Sequence, residues 1–400
     1  MIFRRKLTVK EKYIPLSVPN LRGNELDYVT DAIRSEWVST SGKFISEFEE
    51  SIAKYVNVER AVACQSGTAG LHLALICCGV ETGDEVIAPC LTFIAAVNPI
   101  KYVNANPVFM DCDDTLNIDC DKLEEFLSNK CHFVEGKVIN KKTGAHIKAI
   151  IVVHVFGNIA KMEKIMKIAT TYNLKVIEDA TEALGSYYTK GIYKGCYAGT
   201  IGDIGVYSFN GNKIITTGGG GMIVSKNLNH LSRVKYLSTQ AKDDEVYFIH
   251  GDVGYNYRMT NLQGALGLAQ LEKLEDFIQT KKENYDQYKR ELEEVESLRL
   301  MDFEASTRPN YWFYSLVLDS DSIKKVSVGN FIEKMVEYGI QTRPVWGLIH
   351  EQKPYLDCQA YKIEKAIYYR DRIVNIPCSS NLKVTDVQRV AKAVKAVFGR

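Results

Sequence analysis

The chain has 400 residues, enough for two or three domains of ~150 residues each and for a large buried core. With 46% hydrophobic and 25% charged residues it has the composition of an ordinary globular protein. A net charge of +1, with Lys and Arg dispersed among acids, leaves no electrostatic footprint for nucleic acid. The basic start, Met1 to Lys6, develops no apolar core, so no secretory signal is expected. The most apolar run, 147–156, is cut by Lys148 and His154 and falls far short of the ~20 residues of a membrane helix. Ten cysteines scattered through apolar runs, with no CxxC pair, read as free thiols of a cytoplasmic protein rather than as a zinc site or disulfide frame.

Residues 61–64 read as a strand, 68–78 as a helix stopped by Gly79, and 85–89 and 107–111 as further strands. A strand over 149–154, a helix over 161–172 and a strand over 175–179 follow, then 205–209 and 221–225 as neighbouring strands. Short continuous apolar runs separated by helices mark a mainly parallel sheet covered on both faces, so the fold class is α/β. One long charged helical pattern covers 261–298. A strand at 314–319, a helix at 328–338 and a closing helix from Thr385 then make a smaller α+β part. We expect a large domain of residues 1–285 and a small C-terminal domain of residues 286–400, packed together because no Gly/Ser linker separates them.

The segment Ser208-Phe-Asn-Gly-Asn-Lys213-Ile-Ile-Thr-Thr-Gly218-Gly-Gly-Gly221 sets a lysine in a turn between two strands, beside four glycines that permit close backbone approach. Such a place suits a lysine that must be partly desolvated to serve as a nucleophile, although a lone lysine in a turn is ordinarily a surface residue. Asp179 ends a strand, where ligands of doubly wound sheets bind, and could pair with a pyridinium nitrogen. Equally, Asp179 and Glu182 have the spacing of a helix cap with a capping box. Ser66, Gly67 and Thr68 lie between strand and helix, a seat for phosphate or a plain cap. Phe93, just past a strand end, could stack on a flat ring or simply fill the core. Together the four form a set that points to pyridoxal phosphate.

With Glu178-Asp179-Ala-Thr-Glu182-Ala183 and Gly254-Tyr-Asn256-Tyr-Arg258-Met-Thr260-Asn261-Leu-Gln263, these strings resemble the DegT-type sugar aminotransferases over nearly the whole chain. The resemblance implies a fold-type-I enzyme, dependent on pyridoxal 5'-phosphate and working as a homodimer. By that resemblance Lys213 is the Schiff-base lysine and Asp179 the partner of the ring nitrogen. Gly67, Thr68 and Ser208 contact the phosphate, and Phe93 lies over the ring. Glu182 stands where Gln or His is usual beside the ring hydroxyl, and Asn256 reaches the phosphate in the other subunit. Four glycines at 218–221 replace a family pattern with a Glu between glycines, which implies a looser loop. The sequences 38–44 and 342–346 resemble the branch serving legionaminic acid and bacillosamine formation. The expected reaction moves an amino group from L-glutamate to the 4-keto carbon of a UDP-linked 2-acetamido-2,6-dideoxy hexose, for surface-glycan synthesis. Arg343 is a candidate for binding substrate, and His154 and His350 are polar residues near strand or loop ends. Two alternatives stand beside this one: a sugar dehydratase, whose relatives carry His in place of the lysine, and a non-catalytic regulatory protein of the same fold. No metal is expected.

Overall fold

The computed structural model describes residues 13–399; the basic stretch at the amino terminus lies outside them. Seven strands form the spine of a ten-stranded sheet: β1 (Ala61–Cys64), β2 (Glu85–Pro89), β3 (Asn106–Met110), β4 (His146–Val153), β5 (Lys175–Asp179), β6 (Ile204–Ser208) and β7 (Gly221–Val224). Their order is β1-β7-β6-β5-β4-β2-β3, closed at the β3 edge by Gln359–Tyr361. From β6 through β5, β4, β2 and β3 every pairing is parallel, and β7 runs antiparallel between β6 and β1. Nearly every residue of these strands is buried, as continuous apolar runs covered by helices on both faces require.

Register decides what meets at the site. Asp179 pairs with Val153 on one side and Val206 on the other. Gly221 pairs with both Ser208 and Cys64. The carboxyl ends of β1, β5 and β6 and the start of β7 therefore share one edge of the sheet, where ligands of such folds bind.

The expected helix after β1 is Gly67–Cys77, capped by Ser66, whose Oγ accepts the Ala69 N–H. The continuous helix expected over 261–298 is not formed. The chain makes two helices, Asn261–Leu271 and Leu274–Leu292, because each has a different surface to cover. The first packs on Lys43–Tyr55, whereas the second packs on the closing helix Val384–Val397. The second runs unbroken through residue 285.

Beyond it, Leu298–Leu300, Tyr314–Leu318, Ile373–Ile376 and Arg343–Pro344 form an antiparallel sheet in that order. The amino-terminal residues join this part: Ile14 donates its N–H to Gly339 O, and Leu16 O accepts from Cys378 N–H. All ten cysteines are free, seven of them buried. Among the described residues, no helix is long and apolar enough to cross a membrane.

Candidate active site

A cavity of about 840 Å³ opens at that shared edge. Gly67, Thr68, Phe93, Asp179, Glu182, Ser208, Lys213 and Arg343, all singled out from sequence, line it together. Asn256 does not. It is exposed and bridged to Thr239, beyond the wall. His350 is absent from the cavity, and His154 is buried behind it. His154 Nδ1 accepts the Ala160 N–H, so Nε2 carries the hydrogen toward Glu178 Oε2 at 2.9 Å. That pair fastens the strand ends and does not face a ligand.

No helix follows Asp179, which removes the helix-cap reading of Asp179 and Glu182. Residues 181–185 run as turns, and Asp179 Oδ1 accepts the Thr181 N–H at 3.1 Å. Burial pushes the Asp179 carboxyl up, against the pull of the Thr181 bonds and the Lys213 charge. Glu182 turns its Oε2 to the Phe156 N–H at 2.8 Å and its Oε1 to Lys213 Nζ at 3.7 Å. Burial raises Glu182 to about 7, with Lys213 drawing it back.

Lys213 sits on a turn whose N–H donates to Asn210 O at 2.8 Å, and its side chain is 13% exposed. Its amine lies 4.2 Å from the centre of the Trp312 ring. Trp312 was not singled out from sequence, since nothing in the run Tyr311-Trp312-Phe313-Tyr314 marks one aromatic apart from its neighbours. Phe156 was missed too, although it packs on Trp346 with ring centres 4.8 Å apart and lines the same cavity. The glycine run is tied rather than loose: Phe209 N–H donates to Gly220 O and Thr217 N–H to Phe209 O. Gly221 is needed for close approach, since a Cβ there would stand 2.7 Å from the Ser66 carbonyl carbon.

These residues fit a flat phosphorylated heterocycle. The first turn of the Gly67–Cys77 helix, with its unsatisfied N–H groups, faces the cavity. A Cβ at Gly67 would press on Thr181 Cγ2 at 2.9 Å and Ser208 Cβ at 3.0 Å, so the seat admits only backbone there. An amine and a buried carboxylate flank the space beyond it, and Phe93, half exposed, offers a ring face.

The DegT/DnrJ/EryC1/StrS aminotransferase family matches residues 19–395. The chain belongs to that family. EpsN of Bacillus subtilis (strain 168), which carries the designation pyridoxal phosphate-dependent aminotransferase, is 35% identical over 392 residues, covering 97% of this chain and 96% of its own. The GDP-perosamine synthase of Escherichia coli O157:H7 is 36% identical over 389 residues, covering 97% and 99%. The crystal structure of the aminotransferase TlmJ from Streptoalloteichus hindustanus superposes with a TM-score of 0.86 at 26% identity, covering 97% of this chain and 99% of that one. This DegT/DnrJ/EryC1/StrS member is thus a fold-type-I aminotransferase that uses pyridoxal phosphate.

Proposed function

We propose that the enzyme transfers an amino group from L-glutamate to the 4-keto carbon of a nucleotide-linked hexose, with Lys213 as its catalytic residue. The observation that carries this reading is the Lys213 amine at the wall of a cavity shared with Asp179, Ser208 and the Gly67–Cys77 helix start. About 840 Å³ has room for both a cofactor and a sugar.

Bound pyridoxal phosphate supplies an electron sink for the carbanion left when the donor's α-carbon loses its proton. Lys213 Nζ takes that proton and returns it, acting as general base and then acid. Asp179 holds a proton on the ring nitrogen, and a carboxylate in a dry site does so more strongly than one in water. Gly67, Thr68 and Ser208 receive the phosphate, and Phe93 covers the ring face. Glu182 stands beside the ring hydroxyl, and Arg343, exposed at the cavity edge, meets a carboxylate or phosphate of the substrates. The same residues act in reverse order on the sugar ketone.

For the sugar, the resemblance of 38–44 and 342–346 supports a UDP-linked 2-acetamido-2,6-dideoxy hexose destined for surface glycan. A second reading, a GDP-linked sugar, is favoured by the identity to a GDP-perosamine synthase. Two copies would complete the site, one lending Asn256 to the other. The exposed apolar hairpin of Val246, Tyr247, Phe248 and Ile249, close in sequence to Asn256, supports that assembly. The ten free thiols support a cytoplasmic setting. We also retain the division into residues 1–285 and 286–400, with the Leu274–Leu292 helix as the shared beam.

The test pairs wild type with Lys213→Ala. Wild type should convert glutamate to 2-oxoglutarate with UDP-, GDP- or dTDP-linked 4-keto sugars, the product gaining an amine by mass. Lys213→Ala should lose both that turnover and the visible absorbance of the lysine-bound cofactor. A variant that still transaminates at the wild-type rate overturns the assignment, and loss of water from the sugar in place of amination supports a dehydratase.

A further inference from the structure

We infer that Asn310 is a positioning residue for the catalytic amine, acting through Trp312 and Glu182. Asn310 is fully buried and every polar group of its side chain is used. Its Nδ2 donates to Glu182 O and to Leu184 O, both at 2.9 Å, and its Oδ1 accepts the Trp312 N–H at 3.0 Å. Two carbonyl acceptors on one side and an N–H donor on the other fix which way the amide points. Its own N–H donates to Ser186 Oγ at 2.9 Å, and that hydroxyl donates to Gly157 O at 2.7 Å.

Two of the three main-chain groups that this amide grips belong to the two residues facing Lys213. Trp312 lays its ring 4.2 Å from Nζ, and Glu182 sets Oε1 3.7 Å away. Trp312 also donates its indole N–H to Asn212 O at 2.8 Å, on the residue next to Lys213. Asn310 thereby fastens a turn from the large sheet to the start of a strand of the small one, with the amine between them.

The surrounding backbone is held in unusual conformations. Tyr311, between Asn310 and Trp312, has φ 55°, and Phe156, whose N–H holds Glu182, has φ 57°. Left-handed φ at bulky residues persists only where the surroundings enforce it. A Cβ on Gly157, itself at φ 85°, would fall on Asn310 Oδ1, so this glycine is what lets the amide approach. Ring and carboxylate both cover the amine, which is only 13% exposed. Without Asn310 they are free to draw back, and the amine becomes more reactive to outside reagents but worse aimed.

The inference rests on Lys213 being the catalytic amine, so its test has a readout that needs no turnover. The full chain freed of cofactor is treated with acetic anhydride, and modification of Lys213 is followed by peptide mass spectrometry against surface Lys324. Asn310→Ala should raise the Lys213 rate roughly three- to tenfold, as the Trp312 ring no longer covers the amine. Asn310→Ser, a milder change, and Trp312→Phe, which drops only the indole N–H bond and part of the ring, should move in the same direction. Tyr188→Phe removes buried hydrogen bonds to Ala160 and Met162 away from the amine and serves as the destabilised control. In the loaded enzyme, kcat should fall for the Asn310 variants with KM for the sugar held. Labelling equal to wild type in the Asn310 variants that fold and in Trp312→Phe, or an equal rise in Tyr188→Phe, overturns the inference. An inactive Lys213→Ala beside unchanged labelling would reject Asn310 alone and leave the aminotransferase reading standing.

Discussion

Replacing Glu182 by Gln removes a buried charge while nearly preserving shape, and its effect on stability can be worked out. Burial lifts the carboxyl from 4.5 to about 7. At about 1.4 kcal/mol per pH unit, holding it ionised above pH 7 costs the fold about 3 kcal/mol relative to the unfolded chain. The folded value lies above the unfolded one, so the folded chain binds the proton more tightly. Stability from this group is therefore whole below about pH 4.5 and is lost as pH rises through 7. Gln carries no charge, and its Oε1 can still accept the Phe156 N–H. The variant should match wild type near pH 5 and exceed it at pH 8 by up to about 3 kcal/mol. With an unfolding entropy of about 0.8 kcal/mol/K for a chain this long, that is a rise of about 4 °C in Tm. Calorimetry of the cofactor-free chain at both pH values measures it. An equal shift at both, or a loss at pH 8, would refute the reasoning.

Two more predictions concern assembly and stability. Burial works against the Asp111 carboxylate, but Lys122 Nζ at 2.7 Å and the N–H groups of Glu364, Lys365 and Ala366 hold it below the usual range. Its stability is present above the ordinary value of 3.8 and lost as pH falls. Asp111→Ala should lower stability by about 2–3 kcal/mol at pH 7, with a gap that narrows in melts run towards pH 3. If two copies assemble as proposed, Phe248→Glu, on the exposed hairpin, should shift the mass seen by light scattering from dimer to monomer and lower activity in step. A variant that stays dimeric sinks the hairpin's part in the assembly.

Much of the fold follows from local pattern. The Lys175–Asp179 strand is legible because the β-branched Val176 and Ile177 follow a helical pattern at a short spacing, as in a parallel sheet. The Gly67–Cys77 helix is legible because Ser66 caps it and Gly79 stops it. Lys213 and its neighbours were recognisable as a motif because they lie within one stretch of chain. Where local signals misled, a distant segment decided. The 261–298 pattern is helical throughout, yet the surfaces it must cover differ in direction, so it breaks at 272–273. Asp179 and Glu182 have capping-box spacing, but the turn that follows is tied to Phe156 and Asn310 and makes no helix.

The residues alone determined a parallel α/β core, a lysine in a glycine-rich turn and a carboxylate after a strand. Propensity and hydrophobic period are properties of near neighbours, and each such element forms from them. Only the tertiary structure brought Trp312 over an amine 99 positions earlier in the chain and buried Asn310 against Glu182 and Gly157. Those contacts depend on which strand ends the topology gathers at one edge, and burial there sets the strength of every charge in the site.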